Sequence, residues 1–213
     1  MNEKRQPVPK LGRAPPAVDH TPVSLILAAI AFAAYKHREQ RRKGADASPY
    51  INHPIAVANV LANEVGILDP ITLAAALLHD TIEDTDTSAA GLKAAFGKTV
   101  ACVVVEVTDD KSLPKPVRKQ LQIEHAAHLS KRAQLVKLAD KICNLRDMAR
   151  SPPVDWTLAR RREYFAWAKK VVDQMRGTSP LLDRLVQAEL RHAPERRSKG
   201  GARRVGDRRK KAT

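Results

Sequence analysis

From Thr21 onward the chain alternates stretches in which apolar residues recur every three or four positions with short breaks marked by Gly, Pro, Asn and Asp, the pattern of successive helices. Thr21-Pro22 reads as an N-cap followed by proline at the first helical position, opening a helix through about Arg42 that Gly44 ends. Pro54 suits the first turn of a second helix, closed by Gly66. Asp69-Pro70 repeats the start signal, and 71–83 is so apolar on all sides that this helix belongs at the centre of the fold. A shorter helix is expected over about 88–96. Residues 99–108 carry five valines, which intrinsic propensity alone would assign to a strand. An isolated strand has nothing to pair with, so a buried helix is expected there instead. Further helices are expected at about 116–128, 130–149, 155–176 and 179–191, which makes the fold class all-α, a bundle of about eight to ten helices.

The ends read differently. Residues 1–20 hold Pro7, Pro9, Pro15 and Pro16 among charged and small residues, a composition that cannot bury enough surface to offset chain entropy, and a disordered leader is expected. Residues 195–213 contain nine basic and two acidic residues with Gly200 and Gly201 and no apolar periodicity, and are expected to be a disordered basic tail. The folded domain is therefore placed at 21–194.

Charge and composition narrow the picture. About half of the net +15 sits in the tail, leaving +6 for 21–194, so the folded part is only mildly basic. A polyanionic partner follows, either a nucleotide or, through the tail, nucleic acid. With 43% hydrophobic and 4% aromatic residues, the core must be built mainly from Ala, Leu, Val and Ile. Cys102 and Cys143 lack CxxC spacing, which points to a reducing cytoplasm rather than a disulfide framework. The longest apolar stretch, Val23 to Tyr35, is shorter than the roughly 20 residues a bilayer span needs. No signal-peptide pattern adjoins it, so no membrane partner is expected. Neither GxxxxGK[ST] nor GxGxxG occurs, and Glu124-His125-Ala126-Ala127-His128 lacks the HExxH order of zinc proteases.

Candidate chemistry starts at His79-Asp80, an imidazole beside a carboxylate at the polar end of an otherwise apolar helix. His53 lies just before Pro54, and Asp140 interrupts the apolar face of Leu138-Ala139-Asp140-Lys141. Each of these residues alone also fits a capped or salt-bridged position. Together they offer two nitrogens and two oxygen ligands to a divalent transition ion and leave coordination positions for water and substrate. Glu83 and Asp84 follow His79 and Asp80 at i+4, on nearly the same helix face. Carboxylates so placed would orient water and accept its proton. A solvated acidic helix end running through Asp86 accounts for the same spacing equally well.

The runs AAYKHREQRRKG, SPYINHPIAVANVL, AALLHDTIEDTDT, EVTDDKSLPK, LVKLADKICNLRDM and EYFAWA, in this order from about residue 21 to about 192, resemble the hydrolase domain of the RelA/SpoT family, in its stand-alone small alarmone hydrolase form of the metazoan SpoT-homologue type. The resemblance implies an all-helical HD fold with one Mn²⁺ and removal of the 3′-pyrophosphate of (p)ppGpp to leave GDP or GTP. It implies His53, His79, Asp80 and Asp140 as metal ligands and Glu83 and Asp84 as the catalytic acidic pair. Arg42 and Lys43 match the family's basic pair in the nucleotide pocket, Asn144 its nucleotide-contacting Asn, and Tyr164 a Tyr near the ribose and 3′ phosphates. Without the resemblance, Arg42 and Lys43 read as a solvated basic face and Tyr164 as a core aromatic. It does not extend to 1–20 or the tail, and Gly44 to Ala47 differ in composition from the relatives. Two other functions remain open: an HD phosphohydrolase of another 3′-phosphorylated nucleotide, and a nucleic-acid binder acting through the tail.

Overall fold

The computed structural model describes residues 21–194; the leader expected at 1–20 and the basic tail expected at 195–213 lie outside the described residues. Nine α-helices run through the described part: α1 (Pro22–Lys36), α2 (Asn52–Asn59), α3 (Pro70–Leu78), α4 (Thr81–Asp84), α5 (Ala89–Val107), α6 (Lys115–His125), α7 (Lys131–Arg150), α8 (Leu158–Asp173) and α9 (Pro180–Leu190). The all-α expectation holds.

Local signals account for most helix starts. Thr21, Asp69, Ser88, Ser130, Thr157 and Ser179 each accept, through the side chain, the N–H three residues on, which satisfies one of the orphan donors at a helix N-terminus. The core forms around α3, where Thr72 through Leu78 are all buried. It packs against α1, α2, α5 and α7. Ala74, Ala75 and Ala76 are fully covered, and their small size lets four neighbours approach one helix closely. The valine run joins this core as helix, with Val100, Val103, Val104 and Val107 buried. Gly97, at φ 81° and ψ 166°, breaks α5 where two separate helices were expected, a conformation that a side chain at that position would oppose.

Two boundaries differ from expectation, and both matter for the site. α1 ends at Lys36 rather than near Arg42. His37 turns into the interior, 1% exposed, and Gln40 donates through its side chain to the Asp84 carbonyl at 2.5 Å, so tertiary contacts outweigh continued helix. The chain then closes a loop in which Arg42 N–H donates to Ser48 O and Tyr50 N–H to Gln40 O. The helix expected over 71–83 is likewise interrupted: it stops at Leu78, and Thr81 Oγ1 donates to the Leu78 carbonyl at 2.6 Å. His79 and Asp80 therefore sit in a break between α3 and α4 rather than along one continuous cylinder. A wide π-turn over Val60–Glu64, which nothing in the pattern announced, extends α2.

Candidate active site

α2, the end of α3 and the middle of α7 bring His53, His79, Asp80 and Asp140 to one place. One ligand atom from each of His53, His79 and Asp80 lies within 4.8 Å of the other two. Asp140 Oδ1 reaches His53 Nε2 at 3.1 Å and His79 Nε2 at 3.7 Å. His53, His79 and Asp140 are 4%, 6% and 9% exposed, so this much polarity has been withdrawn from water. His79 Nδ1 donates to the Ala76 carbonyl at 2.8 Å, which fixes the tautomer that leaves Nε2 as a lone-pair donor. That Nε2 is buried without a hydrogen-bond partner. A buried imidazole nitrogen facing two carboxylates, Asp80 Oδ2 at 3.1 Å and Asp140 Oδ1 at 3.7 Å, fits a divalent transition cation, for which mixed nitrogen and oxygen ligands are suited.

The electrostatics agree. Burial opposes a charged ring, yet the Asp80 and Asp140 carboxylates overcome it and push His79 up to about 9. In the protein alone, a proton supplies the positive charge that a cation would otherwise bring. Asp140 is held well below the carboxylate range despite burial, chiefly by the Lys141 ammonium, which donates to its Oδ2 at 3.0 Å. Asn144 donates to Asp140 Oδ1 at 2.6 Å and accepts from Arg42 at 3.3 Å, so it ties the buried cluster to the loop after α1.

Glu83 and Asp84 stand beside this cluster on α4. Burial, and then the nearby Asp109 and Asp80 carboxylates, raise Glu83 to about 7. Its Oε2 accepts the Asp109 N–H at 3.2 Å, and Arg118 lies 3.7 Å from Oε1. Asp84 takes Lys111 on Oδ1 and the Tyr50 hydroxyl on Oδ2. Burial beside Asp80 and Asp84 raises Tyr50 far above its ordinary range, so it keeps its proton.

Two adjoining cavities share these groups. The smaller, about 190 Å³, is lined by the four clustered residues with Glu83, Asp84 and Asn144. The larger, about 590 Å³, is lined by Arg42, Lys43, Asp84, Asn144, Tyr164 and Trp156, among others. Arg42, Tyr50, Asp84 and Asn144 belong to both. All ten site residues expected from sequence thus line one cleft or its buried end. Arg42 is not part of a solvated face, since it pairs with Asp147 at 2.5 Å. Tyr164 sits 5.8 Å from the Trp156 ring and 5.4 Å from that of Trp167, and burial pushes it up to about 12. At Gly44 a side chain would meet Ser151 Oγ at 2.5 Å, so glycine lets the two loops of the cleft wall touch.

Sequence reasoning passed over Tyr50, His37 and Gln40 as site residues. Tyr50 lies three positions before His53, in a loop bounded by prolines, and that is a usable signal. Its reach to Asp80, thirty residues on, is not visible in the spacing.

A family model described as HD domain matches residues 29–166. The chain belongs to the HD-domain family. Among HD-domain proteins it is similar to guanosine-3′,5′-bis(diphosphate) 3′-pyrophosphohydrolase MESH1 of Xenopus tropicalis, at 54% identity over 160 residues, 75% of this chain and 89% of the relative. The Homo sapiens protein of the same name is 54% identical over 158 residues, 74% of this chain and 88% of that one. A solved structure of a metazoan orthologue of SpoT, described as hydrolysing ppGpp, superposes with a TM-score of 0.77 at 50% identity, covering 79% of this chain and 94% of that one. As an HD-family hydrolase, the chain places its histidine–aspartate pair in the break between α3 and α4.

Proposed function

We propose that this chain removes the 3′-pyrophosphate of ppGpp and pppGpp, leaving GDP or GTP, with Mn²⁺ held by His53, His79, Asp80 and Asp140. The observation that carries the reading is the junction of the two cavities, where a buried set of two imidazoles and two carboxylates opens into a cleft of about 590 Å³ whose wall includes Arg41, Arg42 and Lys43. That volume suits a nucleotide-sized ligand. The similarity to proteins named for this hydrolysis supports the choice of substrate.

Bound there, the cation supplies Lewis acidity that lowers the pKa of water and offsets phosphate charge. Glu83, raised to about 7, is tuned to take a proton from water near neutral pH. Asp84 orients that water. The water oxygen gives a proton to Glu83 and bonds to the phosphorus joined to O3′, the bond from that phosphorus to O3′ breaks, and O3′ becomes a hydroxyl by taking a proton from solvent. Lys137 and Lys141 line the small cavity, and Lys111 contacts Asp84 beside it, to meet the anionic pyrophosphate. Arg42 and Tyr164 offer flat surfaces to base and ribose, with Lys43 at the exposed rim and Asn144 beside them. We place the reaction in the cytoplasm. Cys102 and Cys143 are unpaired, which suits a reducing compartment, and no described helix is long and apolar enough to cross a membrane.

The test is to incubate the purified full chain with ppGpp and Mn²⁺, with and without chelator, and to separate the nucleotide products. GDP and pyrophosphate in equal amounts, lost on chelation, are expected. Intact ppGpp alongside turnover of a different 3′-phosphorylated nucleotide would overturn the substrate and leave the HD chemistry standing.

A further inference from the structure

Asp84 is held at three points, and two of them come from the loop after α1. Gln40 donates to its main-chain carbonyl at 2.5 Å, the Tyr50 hydroxyl lies 3.1 Å from Oδ2, and Lys111 contacts Oδ1. Lys111 is a weak anchor, because its side chain is 49% exposed on a flexible stem. Tyr50 is a firm one. Its ring centroid lies 4.8 Å from that of buried His37 at an interplanar angle of 31°, and the Arg42 guanidinium lies over the Tyr50 ring, 5.5 Å from its centroid. His37 is fixed in turn through Nδ1 to Gln40 Oε1 at 2.7 Å. The hydroxyl has one hydrogen for two carboxylates, since Asp80 Oδ2 lies 2.6 Å away. Asp80 also faces His53 and His79, whereas on Oδ2 Asp84 has Tyr50.

Taking the chain as a (p)ppGpp hydrolase, we propose that Tyr50 is a positioning residue: its hydroxyl orients the Asp84 carboxylate toward the buried end of the cleft, and its ring ties that orientation to the nucleotide-lining loop. Arg42, which lines the large cavity, lies over the same ring at cation–π distance. A nucleotide that settles Arg42 thereby also settles the carboxylate next to the reacting phosphorus.

Tyr50→Phe removes the hydroxyl and keeps the ring. In the Mn²⁺-loaded full chain, kcat for pyrophosphate release from ppGpp is expected to fall about 10- to 100-fold, the scale of a misplaced reacting group. KM and the Mn²⁺ retained after gel filtration should stay within about twofold of wild type, and in an Asp84→Asn background the same substitution should change kcat by less than about threefold. Loss of cation from Tyr50→Phe, or its full effect persisting in the Asp84→Asn background, would overturn the inference. A wild-type chain that leaves ppGpp intact overturns the hydrolase reading instead. In that case the crystal structure of Tyr50→Phe decides the positioning role alone. Asp84 turned away with Asp80 in place supports it, and Asp84 unmoved overturns it.

Discussion

The two ends of the cleft are built from different material. At the buried end, His53, His79, Asp80 and Asp140 stand on or at the tips of α2, α3 and α7, the helices that make the core. At the open end, Arg42, Lys43 and Trp156 come from the loops after α1 and after α7, where the chain makes a single antiparallel bridge, Arg41 with Pro49, and no helix. Packing fixes the first set to the precision of the core, which is what a donor set around a small cation needs. Loops give the second set a surface that tolerates change, which suits contacts to base, ribose and outer phosphates. The lesson is a division of labour: the buried donors stand on core helices, while the open end combines loop residues such as Arg42 and Lys43 with Asn144 and Tyr164 from α7 and α8.

The sharpest way to break that division is to remove a donor. His79→Ala or Asp80→Ala should lose bound cation and turnover together, measured by metal analysis and pyrophosphate release on the same sample. Cation retained by the double variant would mean the buried end holds something else.

Glu83→Gln separates binding of the cation from use of it. Cation should remain while kcat drops about 10²- to 10⁴-fold, the range for a lost general base. Because Glu83 sits at about 7, the wild-type rate should rise with pH through about 7, and the variant should lack that rise. The same group sets a stability cost. Its pKa in the folded chain lies above the ordinary 4.5, so its contribution is fully present below 4.5 and is lost as pH rises through about 7. Metal-free Glu83→Gln should therefore be more stable than wild type at pH 8, by about 1–3 kcal/mol, in denaturant titration.

At the open end, Arg42→Ala should raise KM for ppGpp about tenfold with kcat changed only a few-fold, since it removes binding shared by ground and transition states. An equal fall in kcat would erase the contrast between the two ends.

The smallest effect tests whether the contrast belongs to the cleft at all. Asp69, at the opposite end of α3 from His79, caps that helix through Thr72 and pairs with Arg132 at 2.8 Å. Asp69→Ala should cost about 1–2 kcal/mol by loss of the cap and leave kinetics unchanged. Arg132 and then Thr72 hold this carboxyl down at about 2 against the ordinary 3.8. Its contribution is therefore present above pH 3.8 and fades as pH falls toward 2.

How much of this was legible varied with range. Caps at Thr21 and Asp69 declared their helices because the donor and acceptor lie three residues apart. The valine run at 99–108 misleads on propensity alone, and its helix follows only from the lack of a strand partner. The end of α1 at Lys36 could not be read, because Gln40 and Asp84, whose bond holds the turn after it, meet across 44 residues. At the break by His79 the bond from the Thr81 hydroxyl to Leu78 is local, but Tyr50 reaches Asp80 there across 30 residues.

The linear order of residues settled the class of fold and the positions of most helix starts and, through motif resemblance, proposed ten residues that the folded chain brings to the cleft. Only the folded chain decided that His53 and Asp140, 87 residues apart, face each other at 3.1 Å, that Glu83 is pushed to about 7, and that Tyr50 lies over both acids. Helix starts depend on hydrogen bonds within one turn, which composition carries with it. Side-chain convergence and ionisation depend on which helices share the core and how much water they exclude, and that is a property of the packed whole.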